Sequence, residues 1–501
     1  MSDSEIELQS KSKDDLFSGE SKNSSSDLNS YIQSVVQQKQ VVTYRQGLWN
    51  MIKYAIPSTG GLLLNRVVEF TNLVVVGRIG DSTLISGAGL GITTIGIIAF
   101  SLGVGLAGGV ETLCSQAFGN KKNYLAGCYY TRAQIVLTLV FLFQAVFLLF
   151  STPLLVMLGQ PPASAEYAGL YIKILIPGIW FFCQTELLRR FLGAQGAFYI
   201  VTNSQIFNCM LHPLWLYLLV FFFDFSVRGV AWATCITYFL NFFVPVMYIT
   251  FNRKAVKEGC WNWINKDSFV GLFEYLQYGL PAMMMVALEF WAFGVVNLIG
   301  GMVGELELAA SVIIFNILEF VYMIPAGFGF AASTLVGNNL GDSNPKNARI
   351  YVNLSVCISL TCSFILGGGM FLFRHTLAGI FTSDEELGNT IVMALPLVFA
   401  MTFGDYLQGI CQGCIKAMGK QNFASVICLV GYWIVCIPLT YYMTFSLDLG
   451  IRGVWGGLPI GLFIVGTLFV TMICLTDMEK LSEKITSKLE TPNDSLLNSS
   501  S

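Results

Sequence analysis

The chain has 501 residues, of which 54% are hydrophobic and only 12% are charged. Soluble domains carry about 25% charged residues, so this composition excludes an ordinary soluble domain and indicates a chain that lies mostly in a lipid bilayer. The net charge of -3 points to neither a nucleic acid partner nor a basic surface role. The thirteen cysteines lie mostly in apolar runs, without the spacing of a zinc site, and are predicted to be packing residues.

Both ends of the chain are polar. Residues 1–45 are rich in Ser, Asp, Lys and Gln and lack the apolar core of a signal peptide. A segment of this composition buries too little apolar surface to fold, so it predicts a disordered tail. Residues 477–501 are similar and predict a second tail of the same kind.

Between the tails, apolar segments recur, each long enough to cross about 30 Å of hydrocarbon as a helix. They lie at about residues 50–75, 86–112, 128–150, 165–188, 198–223, 228–250, 272–300, 306–334, 350–373, 388–413, 423–446 and 452–475. The predicted fold is therefore an all-α polytopic membrane protein of about twelve transmembrane helices. Its expected parts are a first six-helix lobe (46–251), a polar linker (252–268) and a second six-helix lobe (269–476).

The basic residues predict the orientation of these helices, because cytoplasmic loops carry an excess of Lys and Arg. If the loops between successive spans lie alternately on the two sides of the membrane, twelve basic residues fall in loops on the side of the amino terminus. They are Lys121, Lys122, Arg189, Arg190, Arg253, Lys254, Lys257, Lys266, Lys346, Arg349, Lys416 and Lys420. Four fall on the other side, namely Arg78, Arg228, Arg374 and Arg452. Both termini are thus predicted to be cytoplasmic.

The two halves repeat one another. Tyr54-Ala-Ile-Pro57 matches Tyr278-Gly-Leu-Pro281, a shift of 281 − 57 = 224. At the same shift, four further residues match Asp448, Arg452, Gly453 and Val454, namely Asp224, Arg228, Gly229 and Val230. Between them, Thr112 and Gly119 match Thr334 and Gly341 at 222. Because each half holds an even number of spans, both halves have the same orientation. The pattern is typical of a parallel-repeat transporter that handles substrate between two pseudo-symmetric lobes.

The seventh span carries a carboxylate, Glu289, near its middle, where a charge is costly and seldom without function. A spacing of four places Glu289, Phe293 and Asn297 on one helix face. The eighth span adds Asn316 and Glu319, and the tenth adds Asp405, so an acidic, amide-lined cavity is predicted in the second lobe. A proton and a cationic substrate would compete for such an acid, which is the simplest antiport. The alternative is that Glu289 only caps a backbone kink.

The first span holds Asn65, Glu69 and Asn72 on one face, and the repeat shift aligns Asn65 with Glu289 (289 − 65 = 224). These residues are predicted to line the cavity, although Arg66 at i+3 from Glu69 allows a purely internal ion pair. The second span ends with Glu111, Ser115 and Gln116, where an inner gate or a solvated helix end explains the residues equally well.

Other classes of protein are poorly supported. No P-loop is present, so direct use of ATP is not expected, and two histidines leave a membrane enzyme with few catalysts. We expect no bound cofactor, a proton gradient as energy source, and a small molecule and the bilayer as the partners, with neither nucleic acid nor an obligate protein partner. Sodium coupling stays open, since carboxylate and amide oxygens also suit that ion.

Several motifs resemble the eukaryotic multidrug and toxic compound extrusion (MATE) transporters: Glu111-Thr-Leu-Cys-Ser-Gln-Ala-Phe-Gly119, Leu288-Glu-Phe-Trp-Ala-Phe293, Tyr322-Met-Ile-Pro-Ala-Gly327, Val336-Gly-Asn-Asn-Leu-Gly341 and Gly453-Val-Trp-Gly-Gly457. The resemblance implies twelve helices in two lobes and cation-driven export of organic cations or metabolites, by proton in most eukaryotic members. It also implies that Glu289 is the central carboxylate of the seventh span and Asp405 the acid of the tenth.

The sequence departs from the family pattern at three positions. Gly294 replaces a second glutamate of the seventh span, Asn316 a glutamate of the eighth, and Asn72 an aspartate of the first span. A first-lobe ion site on that pattern is therefore doubtful, and a neutral or weakly cationic substrate stays open.

The interpretation of the sequence is a proton-coupled exporter in the plasma membrane or in a vacuolar or vesicular membrane. One alternative is a lipid-linked saccharide flippase of the same superfamily, for which Arg66 and Lys173 would be the cavity cations. Another is a membrane sensor that binds a ligand without moving it.

Overall fold

The computed structural model describes residues 41–79 and 82–490 of the chain, and these residues form helices and turns without a strand. Twelve long helical segments follow one another: α1 Tyr44–Ile79, α2 Ser86–Gly119, α3 Asn123–Leu149, α4 Pro162–Ala194, α5 Tyr199–Phe222, α6 Ser226–Phe251, α7 Leu272–Val303, α8 Glu305–Gly341, α9 Pro345–Leu372, α10 Glu385–Ala417, α11 Gln421–Ser446 and α12 Ile451–Cys474. The predicted helical architecture is confirmed. The predicted first tail falls mostly on residues 1–40, outside the described residues.

Within the described residues, eleven helices, α2 to α12, are long and apolar enough to cross a membrane. The first helix, α1, is 36 residues long but carries Lys53, Arg66 and Glu69 along its length. These charges lower its hydropathy, and its packing against the other helices supports the prediction that it is the twelfth member of the bundle.

Two apolar cores correspond to the two predicted lobes. In the first lobe α4 packs against α2 and α6, and in the second α10 packs in the same way against α8 and α12. The lobes interlock at one end, because Met51 of α1 is buried in the second core and Tyr275 of α7 in the first. These two residues are again separated by the repeat shift, 275 − 51 = 224.

The repeat is also visible in the backbone. A short π-helical segment, Tyr217–Phe222 in α5 and Tyr442–Ser446 in α11, precedes the same turn in each half. Asp224 and Asp448 take left-handed φ values of 53° and 51° in these turns, a conformation that aspartate tolerates better than most residues. Equivalent backbone conformations at equivalent positions support the internal duplication.

The second tail was predicted to be disordered, and this prediction is wrong for its first part. Residues Met478–Glu490 form a further helix, α13, with Met478, Ser482, Ile485 and Leu489 buried on one face. That spacing of four, three and four residues is a helical stripe, which stabilises the segment by docking it on the bundle. Ser482 Oγ donates to the Leu340 carbonyl oxygen at 2.8 Å.

The placement of three basic residues is also corrected. Arg189, Arg190 and Lys416 were assigned to connecting loops, but they are buried within α4 and α10. Nine of the twelve residues on that side remain near the helix ends, so the predicted orientation stays a prediction. We call the end of the bundle where α2, α4, α8 and α10 finish the closed end, because the two lobes meet there.

Candidate functional site

Glu289 lies on α7 inside the second lobe, eight residues beyond Pro281. Its Oε2 accepts a hydrogen bond of 2.9 Å from Gln408 Nε2 on α10. The Oε1 of Gln408 in turn accepts a 2.6 Å bond from the hydroxyl of Tyr432 on α11. Three helices thus orient the carboxyl group through uncharged donors. Such a chain holds the group in place in both of its protonation states, because the carboxyl oxygen accepts in either case.

Asp405 is buried on the same face of α10, three residues before Gln408. Among the described residues it has no hydrogen-bond donor or ion-pair partner, and it interacts electrostatically with Glu289. An isolated ionised carboxylate costs several kcal/mol in an apolar medium, so a neutral Asp405 fits this environment. The structure therefore brings together the two acids that were predicted to couple to protons.

The remaining residues of the predicted second-lobe cavity are Phe293, Asn297, Asn316 and Glu319, and only the first two share the helix face of Glu289. Phe293 and Asn297 follow Glu289 along one face of α7, and the Phe293 ring lies 5.6 Å from that of Phe315 on α8. Asn316 is exposed and donates to the Val312 carbonyl oxygen of its own helix at 2.8 Å. Glu319 does not join Glu289, because its carboxylate is engaged by a cation of the first lobe.

That cation is Arg66 on α1. Its guanidinium contacts Glu69 Oε2 at 2.7 Å and Glu319 Oε1 at 2.9 Å. The internal ion pair with Glu69 that the sequence allowed is present, and the bond to Glu319 extends it across the lobes. The side chains are 19–27% exposed, so the cluster is partly screened by solvent.

The Arg66 cluster leads to a prediction about stability. Arg66→Gln leaves two carboxylates facing each other without a cation, whereas Glu319→Gln leaves one intact ion pair. We expect Arg66→Gln to destabilise the protein by about 1 to 3 kcal/mol, less than for a fully buried pair because of the partial exposure. Glu319→Gln should cost clearly less. Thermal unfolding of the purified variants in detergent measures the difference, and equal midpoints would contradict the cross-lobe role of Arg66.

The other predicted residues of α1 belong to a polar network inside the first lobe. Asn65 accepts from Gln205 Nε2 at 2.9 Å and donates to Glu186 Oε1 at 3.4 Å. Asn72 donates to Thr234 Oγ1 at 2.9 Å, and its Oδ1 lies 2.9 Å from Nε2 of His212. His212 also bonds through Nδ1 to Thr237 Oγ1 at 2.8 Å. Asn65, Asn72 and His212 therefore have their hydrogen-bond partners within the lobe.

The closed end is held by two equivalent sets of hydrogen bonds between the lobes. In one set, Thr112 Oγ1 and Gln116 Nε2 of α2 donate to the carbonyl oxygens of Lys416 and Ala417 at 2.7 and 2.8 Å. In the other, Thr334 Oγ1 and Asn338 Nδ2 of α8 donate to those of Gly193 and Ala194 at 3.2 and 3.1 Å. Donors are related by 334 − 112 = 222, and acceptors by 416 − 193 = 223. The internal repeat therefore builds a pseudo-symmetric closure.

Charged groups occur in only one half of this closure. Glu111 of α2 pairs with Arg190 of α4, and its second oxygen lies 3.8 Å from Lys416 Nζ of α10. Repeat-equivalent positions carry no charge: Ser333 corresponds to Glu111, and Gly193 to Lys416. Both predicted gate residues, Glu111 and Gln116, thus lie at the contact between the lobes.

Sequence reasoning missed Gln408, Tyr432, Arg190 and Lys416. A signal for α10 was available, because Gln408, Gln412 and Lys416 recur every four residues and place a polar stripe on an otherwise apolar helix. In the described part of the chain, no group of three or more His, Cys, Asp or Glu residues is placed to hold a metal ion.

A family described as MatE matches residues 57–218 and 281–442, together well over half of the chain. The chain belongs to the MatE family. The two matched segments are offset by 281 − 57 = 224, the repeat shift found in the sequence. MatE proteins are multidrug and toxin extrusion transporters, so the chain is an integral membrane transporter of that type.

Individual relatives agree with this assignment. The chain is 30% identical over 432 residues to Protein DETOXIFICATION 16 of Arabidopsis thaliana, covering 85% of this chain and 88% of the relative. It is 27% identical over 448 residues to Multidrug and toxin extrusion protein 1 of Danio rerio, covering 88% and 75%. The fold matches the crystal structure of the eukaryotic MATE transporter AtDTX14 with a TM-score of 0.85 and 26% identity, over 89% of this chain and 99% of that one. The predicted two-lobe fold is thereby confirmed.

Proposed function

We propose that this MatE protein exports small organic molecules in exchange for protons, with Glu289 as the principal proton acceptor and Asp405 as the second acid. The observation that carries the proposal is the setting of Glu289. Its carboxyl group lies inside a lobe, and its only hydrogen-bond donor among the described residues is the uncharged Gln408. A carboxyl group held in this way exchanges a proton without losing its orientation.

Alternating access is proposed to occur by separation of the lobes at the closed end. We place that end on the cytoplasmic side, following the excess of basic residues there, so that the structure corresponds to a state closed toward the cytoplasm. Cargo would then enter from the cytoplasm after the pseudo-symmetric hydrogen bonds break, and would leave on the opposite side.

The charge of the cargo follows from the acids that are free to meet it. Glu69 and Glu319 are engaged by Arg66, which leaves Glu289 and Asp405 as the carboxyl groups of the predicted site that form no salt bridge among the described residues. We propose a monovalent organic cation or a weakly basic metabolite as substrate. A flippase for phosphate-linked saccharides is less well supported, since two carboxylates already neutralise Arg66. We propose the plasma membrane or a vacuolar or vesicular membrane as the location.

Purified full-length protein in liposomes tests the proposed function. An imposed proton gradient should drive uptake of a fluorescent organic cation at least tenfold above empty liposomes, whereas a sodium gradient of equal size should not. Uptake driven only by the sodium gradient would show that sodium, and not the proton, is the coupling ion. Uptake driven by neither gradient would overturn the proposed exporter of cations.

A further inference from the structure

Lys416 lies between the proposed proton site and the closed end. It is buried on α10, two helical turns from Gln408, or about 12 Å along the helix axis. Its side chain extends toward the interior, because a Cβ atom placed on Gly108 of α2 would lie 3.6 Å from Lys416 Cε and 2.9 Å from Ala282 of α7. Ala282 is two turns from Glu289 on the same helix.

The groups that face Lys416 come from four helices. They are Glu111 on α2, Arg190 on α4, Glu289 on α7 and the Cys428 thiol on α11. Glu289 is faced in addition by Asp405 on α10, Tyr322 on α8 and Tyr432 on α11. Lys416 thus lies 3.8 Å from a carboxylate of the first lobe, Glu111, and has a longer-range electrostatic interaction with Glu289 of its own lobe.

The ionised groups of this cluster balance. With Glu289 ionised, two cations, Arg190 and Lys416, face two anions, Glu111 and Glu289. The adjacent Arg189 is balanced separately by Glu186 at 3.1 Å. The neighbouring Asp405 is counted as neutral, for the reason given above. When Glu289 takes up a proton, the same buried cluster carries one uncompensated positive charge. Burying an unpaired charge is strongly unfavourable. When the lobes separate, water reaches Lys416 and solvates its charge, which lowers this free-energy cost.

The uncharged half of the closure provides an internal comparison. There, Thr334 and Asn338 bond to Gly193 and Ala194, and uncharged residues occupy the positions equivalent to Glu111, Arg190 and Lys416. Asn65 occupies the position equivalent to Glu289. The first lobe does bury an ion pair, Glu186 with Arg189 at 3.1 Å, and Asn65 donates to Glu186, but among the described residues neither member of this pair bonds across the closure. Charges that contact both lobes therefore occur in only one of the two halves of the closure.

We propose that Lys416 is a positioning residue that couples protonation of Glu289 to opening of the closed end. When Glu289 is ionised, the positive charge of Lys416 is compensated by Glu111 of the first lobe and Glu289 of the second, and the closed end is stable. Protonation removes one of its two anions and favours opening. This inference rests on the proposed function, because it takes Glu289 as the group that titrates.

The distance between the lobes as a function of pH tests the coupling. Spin labels on genetically encoded keto residues at the exposed positions Lys254 and Lys346 report the closed end without interference from the thirteen cysteines. In the otherwise unchanged full-length protein in nanodiscs, acidification should raise the open-to-closed ratio at least threefold. In Lys416→Met, the cluster is balanced only when Glu289 is protonated, so acidification should lower that ratio. A residue that only supports the fold cannot reverse the sign of a pH response.

Further variants separate the alternatives. Lys416→Arg keeps the charge and should respond to pH as the parent does. Lys420→Met is a matched control that should also respond as the parent does, because the ammonium it removes only donates to Thr476 Oγ1 at 2.7 Å. Glu289→Gln should be open and insensitive to pH, and Glu289→Gln with Lys416→Met closed and insensitive. A parental response in Lys416→Met, with Glu289→Gln insensitive, would overturn the coupling role alone. A pH response retained in Glu289→Gln would instead overturn the proposed function, and with it this inference.

Discussion

Proton-driven uptake of an organic cation should fall at least tenfold when Glu289 is replaced by glutamine. Glutamine has nearly the same shape, and its side-chain oxygen still accepts a hydrogen bond from Gln408, so the arrangement of Glu289, Gln408 and Tyr432 is preserved. What is lost is the ability to bind and release a proton, and with it the link between the gradient and transport. Initial rates in liposomes with an imposed proton gradient measure the effect.

A matched control for this experiment is Glu305→Gln, which removes an exposed carboxylate from the first turn of α8. It should transport at the parental rate, since Glu305 is exposed at the very start of α8, beyond the end of α7 that carries Glu289. Parental uptake in Glu289→Gln, with correct folding verified by size-exclusion chromatography, would remove Glu289 from the mechanism. Asp405 or a carboxylate of the Arg66 cluster would then be the candidate for the proton acceptor.

Substitution of Gly119 by alanine should prevent the closed end from closing. A Cβ atom at Gly119 would lie 2.2 Å from the Asn338 carbonyl oxygen, and one at the equivalent Gly341 would lie 2.1 Å from that of Gln116. Both contacts are with backbone atoms of the other lobe, which cannot move aside as a flexible side chain does. We expect Gly119→Ala to lower the closed population more than tenfold, as measured by the label distance between residues 254 and 346.

The sign of this effect distinguishes it from a change in helix stability. Glycine to alanine inside a helix ordinarily stabilises it by up to about 1 kcal/mol, so a shift toward the open state cannot come from weaker helix formation. Gly89→Ala in the same helix is the control, because a Cβ atom added there would meet no atom of the described residues within 4 Å. An unchanged closed population in Gly119→Ala would mean that the helices slide past one another at this contact.

The two halves of the closure also give a comparison within one molecule. Gly341→Ala should open the closed end to a similar degree as Gly119→Ala, since the two contacts are related by the repeat. Only the half with Glu111, Arg190 and Lys416 is expected to respond to pH. In the proposed mechanism, the pH response depends on a small difference between two nearly equivalent sets of contacts.

The sequence alone determined the architecture of this protein, because the bilayer imposes a local requirement. A helix that crosses hydrocarbon needs about 20 consecutive apolar residues, and such runs can be read without knowing what they contact. The same is true of the repeat, visible in Tyr54 and Tyr278 or in Thr112 and Thr334. Glu289 stood out for the same reason, since a carboxylate in the middle of an apolar run is costly wherever the helix lies.

Only the tertiary structure decided which polar residues meet. Gln408 is 119 residues from Glu289, and the two ends of the Lys416–Glu111 contact are separated by more than 300 positions. Two basic residues that were assigned to loops are buried for this reason, since Arg190 pairs with Glu111 inside the first lobe and Lys416 lies near Glu111 across the interface between the lobes. Glu319, predicted to join Glu289, is drawn to Arg66 instead. In a low dielectric the position of the nearest opposite charge decides where an ionised side chain lies, and that position depends on how distant segments pack.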